Sequence, residues 1–146
     1  MTRSLLLLST LLLSLISPLA AADYGDWPKS GSLFINTTPE GANLPETATE
    51  VDFPLLVRLH KDFFDFNSAK EHGEDVRFTL DGQALAYQIE EWDAQRGTAS
   101  IWVRIPKIQG NKKQELKIHW GKADAVSESN GNAVFNNSNQ YLSVLH

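Results

Sequence analysis

From Gly73 to Ile108 apolar and polar residues alternate with a period of two on both sides of a short polar turn. Leu85, Tyr87 and Ile89 share one parity before the turn, and Ile101, Val103 and Ile105 share one after it. Alternation of this kind predicts a half-buried β-hairpin, because successive side chains of a strand point to opposite faces. The other parity carries Gln88, Glu90, Trp92, Ser100, Trp102 and Arg104. With the turn centred near Gln95, Trp92 falls opposite Thr98, Glu90 opposite Ser100 and Gln88 opposite Trp102. Both indoles are then expected on one polar face together with Arg104.

The same reading predicts six strands, at 32–36, 53–60, 76–80, 84–92, 99–105 and 114–120. Leu55, Val57, Phe78, Leu85, Tyr87, Ile89, Ile101, Val103, Leu116 and Ile118 are the expected core. Turn clusters separate the strands, and Asp81-Gly82 is a strong hairpin signal because tight turns need positive φ. A single helical turn is expected within 65–72, with Asn67 or Ser68 as its cap and Gly73 as its end. With several short strands and no long amphipathic helix, the fold class is all-β, an antiparallel β-sandwich or jelly roll in one domain.

The two ends read differently. Arg3, an apolar run of about 12 residues from Leu5 to Ile16, Pro18 and Ala20-Ala21-Ala22 make residues 1–22 a cleavable export signal. The run is too short to span a bilayer as a helix. Residues 23–146 then form the mature domain, expected to be periplasmic or secreted, with no membrane span. Past Trp120 the pattern decays into a stretch rich in Ser, Asn and Gly. Residues 141–146 read as a strand cut off in mid-run, so the expectation is a piece of a longer protein.

Composition narrows the chemistry. Without the signal, 12 basic residues face 18 acidic ones, a net charge of −6 that disfavours nucleic acid as a partner. The chain has no cysteine, which excludes disulfides, thiolate metal sites and a lipidated N-terminal cysteine. No nucleophile elbow, P-loop or dinucleotide fingerprint is present, and no catalytic residue is assigned. Glu90 and Glu91 are adjacent, so on a strand they point to opposite faces and cannot flank one bond. Asp62, Asp65, Glu71, Glu74 and Asp75 crowd one loop with Asn67. A structural calcium ion is the one cofactor such a loop would suit, although EF-hand spacing is missing and no metal ligand is assigned. The candidate ligand-binding residues are therefore Gln88, Glu90, Trp92, Trp102 and Arg104. Flat aromatic surfaces beside amide, carboxylate and guanidinium groups suit pyranose rings. A covered face, forming a seam with other polypeptide, is the competing expectation.

The order of DFPLLVRL (52–59), GEDVRF (73–78), LAYQIEEWD (85–93), ASIWVRIP (99–106), LKIHWGKADA (116–125) and the closing AVFN and YLSVLH resembles the bacterial family called domain of unknown function 2341. The resemblance runs from Trp27 to His146. His119-Trp120-Gly121 departs from it, since many relatives carry two tyrosines before the glycine. It implies an exported N-terminal module, often followed by a laminin-G or concanavalin-like lectin domain or by a TolQ-type biopolymer-transport module. It implies no reaction. The expected function is a non-catalytic module that binds glycan or supports an adjacent lectin-like domain. An accessory or sensor domain of an envelope transport assembly is the alternative, followed by a polysaccharide-active enzyme.

Overall fold

The computed structural model describes residues 21–136. All but the last two residues of the expected export signal, and the strand expected at 141–146, lie outside the described residues. Among the described residues no helix is long and apolar enough to cross a membrane. The strands are β1 (Lys29–Asn36), β2 (Thr49–His60), β3 (Arg77–Leu80), β4 (Gln83–Ala84), β5 (Tyr87–Asp93), β6 (Thr98–Gln109) and β7 (Lys113–Trp120). They form two antiparallel sheets, β1-β7-β3-β4 and β2-β6-β5, so the all-β sandwich is the architecture the chain adopts.

The strand expected at 84–92 is divided between these sheets. Leu85 N still donates to Phe78 O of the first sheet, whereas Ala86 O accepts from Arg104 N of the second. One peptide step carries the chain from layer to layer, and the expected single strand becomes β4 and β5. The hairpin joining β3 to β4 turns at Asp81 and Gly82, both at positive φ, as the Asp-Gly pair predicts.

The core lies between the sheets and follows the parity read from the sequence. Val57, Phe78, Leu85, Tyr87, Ile101, Val103, Leu116 and Ile118 are buried, while Leu55 and Ile89 are half-buried and pack against them. At one end the core becomes aromatic. Phe64 and Phe66 stack edge-on at 4.9 Å, and Trp120 lies 4.7 Å from Phe64. The expected helical turn is a 3-10 turn, Phe66–Ser68, that swings Phe66 into this cluster. Its cap is Asp65, whose carboxylate accepts from Asn67 N at 3.1 Å; neither Asn67 nor Ser68 does that work.

Asp75 is fully buried just ahead of β3. Its Oδ1 accepts from Lys70 N at 2.9 Å, and its Oδ2 accepts from Gly121 N at 2.6 Å. Its main-chain oxygen accepts from the Trp27 indole at 2.8 Å. One residue thus ties the loop before β3, the end of β7 and the segment before β1 to one point. Replacement of Asp75 by Ala strands two part-buried N–H groups, and a loss of about 3 kcal/mol in urea unfolding is expected. Asp75→Asn, which keeps one acceptor, is expected to lose less.

Candidate functional site

The outer face of the β2-β6-β5 sheet holds four of the five residues singled out from the sequence. Gln88 pairs with Trp102 across β5 and β6 as expected. The Trp102 indole donates to Glu90 Oε2 at 3.1 Å. Arg104 Nη2 and Nε donate to Asp52 Oδ1 at 2.7 and 3.0 Å. Asp52 sits at positive φ opposite Pro106, where the β2–β6 ladder is interrupted without a change of register. Proline cannot donate to the ladder, and its position inside an apparent strand is the sequence signal for this irregularity.

Trp92 does not join them. The β5–β6 register shifts by one residue between Ile89 and Glu91, so Glu91 pairs with Ser100, Trp92 with Ala99 and Asp93 with Thr98. A bulge inserts one residue on one strand and reverses the facing of everything beyond it. Trp92 therefore turns into the sandwich, 5.1 Å from Phe66 and 5.8 Å from Phe64. Gly73 closes over the ring from the loop before β3. A Cβ there would lie 2.6 Å from the indole, and its φ of +72° already selects glycine. The shared face expected for the two tryptophans is thus corrected, and Trp92 belongs to the aromatic end of the core.

The remaining face is covered by the chain itself. After β7 the backbone crosses the free edge of β5, where Asn130 N donates to Tyr87 O at 2.8 Å and Ile89 N donates to Ser129 Oγ at 2.9 Å. The short helix α1 (Gly131–Val134), capped by the Asn130 side chain, follows. Gly131 packs on Gln88, Arg104 Nη1 reaches Ala133 O at 3.4 Å, and Phe135 meets Trp102 edge-on at 5.5 Å. Val134 is fully buried. Farther back, buried Arg77 donates to Val126 O at 2.7 Å and pairs with Glu128 at 3.1 Å. Tyr87 Oη, held at 3.0 Å from the same guanidinium, accepts from Glu128 N. Burial pushes the Tyr87 phenol above its ordinary range, so it remains protonated.

The crowded acidic loop is distributed over separate local tasks. Asp65 caps the 3-10 turn, Asp75 takes two main-chain donors, Glu74 accepts from His72 N and Asp62 pairs with His60. Among the described residues no three acidic or histidine side chains converge as a metal site would require.

A concavity that the sequence reading missed lies on the outer face of the β1-β7-β3-β4 sheet. It encloses about 570 Å³ and is lined by Tyr24, Trp27, Ser30, Thr79, Lys117 and His119, with Asp23, Asp81 and Glu115 at its rim. The pairing explains the trough. Ser30 and His119 lie side by side, as do Ser32, Lys117 and Thr79, so short hydroxylated residues alternate with long ones. The segment before β1 forms one wall, where Tyr24 stacks at 4.8 Å on Trp27 and at 5.2 Å on His119. His119 Nε2 lies 3.1 Å from Thr79 Oγ1. Alternation of Glu115, Lys117 and His119 with Leu116 and Ile118 was the available signal, but nothing in it placed Tyr24 alongside.

The model of the family described as Domain of unknown function (DUF2341) matches residues 72–141. That segment belongs to DUF2341. The span is narrower than the resemblance from Trp27 onward, and β1 and β2 lie outside it. The DUF2341 segment contains Asp75, Arg77, the bulged β5–β6 hairpin and the strap over it, together with β3 and β7 beneath the trough. The wall bearing Tyr24 and Trp27 comes from outside the segment. No curated protein and no solved structure matches the chain.

Burial, reinforced by Lys117, lowers the His119 pKa below its ordinary 6.5. The unfolded chain then binds more protons than the folded one in that range, so stability is full above pH 6.5 and declines as the pH falls below it. Urea midpoints followed from about pH 8 to about pH 5 should fall more steeply for the wild type than for His119→Gln. Parallel curves would show that His119 does not contribute.

Proposed function

We propose that this chain is an exported, non-catalytic β-sandwich module whose β2-β6-β5 sheet supports the polypeptide that follows β7, and through it a neighbouring domain. Export rests on the signal pattern of residues 1–22. The support role rests on one observation: the polar-aromatic face of the β5–β6 hairpin is taken up by residues 126–136. Trp102 faces Phe135, Arg104 faces Ala133, and Gln88 lies under Gly131. A strap held through aromatic contact, guanidinium and main-chain bonds gives whatever follows a fixed exit direction. A flexible tether would leave those groups to solvent. This favours the seam over glycan contact at Trp102.

The test follows from the half-buried indole. Trp102→Ala is expected to lower stability by about 2 kcal/mol, below the ~3–5 kcal/mol of a fully buried tryptophan. It should also speed amide exchange at residues 129–135. Arg104→Met should loosen the same residues, because both the Asp52 pair and the Ala133 contact disappear. Unchanged stability and unchanged exchange in both variants would refute support. Loss of glycan binding by a Trp102→Ala variant of wild-type stability would return the function to that face.

A further inference from the structure

We infer that the trough on the β1-β7-β3-β4 sheet is a carbohydrate site, taking neutral sugar rings and excluding acidic ones. It lies on the sheet opposite the supporting face, so it stands independently of the proposal above.

The chemistry of the lining carries the inference. The floor is made of small hydroxylated residues, Ser30 and Thr79. One wall is aromatic, formed by Tyr24 against Trp27 and His119. The rim beyond Thr79 and Lys117 carries acceptors beside a donor: Asp81 follows β3 at the level of Glu115 on β7, and Lys117 lies next along that strand. A pyranose presents the complementary pattern, with apolar C–H faces for a ring and vicinal hydroxyls that donate and accept in turn. The volume, about 570 Å³, falls within the roughly 300–1,000 Å³ of ordinary small-ligand clefts.

Charge decides the kind of sugar. Asp23, Asp81 and Glu115 place three carboxylates around the trough against the single ammonium of Lys117. A uronate would meet a repulsive rim, whereas a neutral ring would find acceptors for its hydroxyls. The aromatic wall survives the expected export cleavage, because Tyr24 and Trp27 follow Ala22. Ala22 N donates to Gly82 O at 2.9 Å, so cleavage after Ala22 would release that carbonyl at the rim as one more acceptor.

The experiment is an NMR titration of the exported protein with three probes: cellopentaose, chitopentaose and pentagalacturonate. At least one of the two neutral oligomers should shift the Trp27 indole and the Ser30 and Lys117 amides in a saturable way, and the uronate should not. Tyr24→Ala should weaken that binding more than tenfold. Lys117 is exposed, so Lys117→Ala should weaken binding several-fold with an unchanged melting temperature, which guards against a folding defect in the tyrosine variant. The inference fails if neither neutral oligomer shifts these signals, or if the uronate binds as well as they do. It fails equally if both variants bind like the wild type, or if the shifts appear around Trp102.

Discussion

One buried carboxyl group organises this molecule. Asp75 is buried completely, and main-chain N–H groups from two separated loops converge on its carboxylate. Burying an ion without such donors would cost several kcal/mol, so the loops must remain where the carboxylate needs them. The constraint spreads outward from there. Holding Gly121 fixes the end of β7, and holding Trp27 through the Asp75 carbonyl fixes the segment that leads into β1. Two residues on, Arg77 repeats the device with opposite charge, spending its donors on Glu74 O, Val76 O, Val126 O and the Tyr87 hydroxyl. The acid that meets Arg77 is Glu128, and Asp75 and Arg77 take different partners. Each fastens a different length of irregular backbone, and together they hold both walls that cover the sheet faces.

The core was legible because burial obeys a short-range rule. Period-two alternation survives in β7, in β6 as far as Ile105 and in β5 as far as Ile89, and the residues read as apolar from it do line the interior. What escaped was whatever broke that period. The bulge at Glu90 is the clearest case, since strict alternation from Ile89 sends Trp92 to solvent while one inserted residue sends it inward. Pressure for the inward solution comes from Phe64 and Phe66, distant in sequence, which need an aromatic partner at that end of the core. Layer switching at Leu85 and Ala86 is invisible for a similar reason. Both halves alternate perfectly well, and only the competing partners Phe78 and Arg104 divide them.

The candidate sites show the same limit. Gln88, Glu90, Trp102 and Arg104 do meet on one face, because the register between them is local to one hairpin. That this face is occupied by residues 126–136 depends on contacts made across some 30 residues of chain, and no pattern within the hairpin announces them. The trough was harder still. Its floor alternates in β7, but its aromatic wall comes from a stretch with no periodicity, positioned by the Asp75 carbonyl and by stacking on His119.

Pairing of β1 with β7 joins Lys29 to Trp120 and Asn36 to Lys113. Among the described strands, the one synthesised first therefore waits for the one synthesised last, while the hairpins between them can close from near neighbours. During that interval β1 is an orphan edge, the kind of segment on which chains stick to one another. Its first half reads Lys-Ser-Gly-Ser, short, polar and poor in β-branched residues, a composition that resists premature pairing. The small side chains that hollow out the trough in the finished sheet are thus also what keeps the waiting strand soluble.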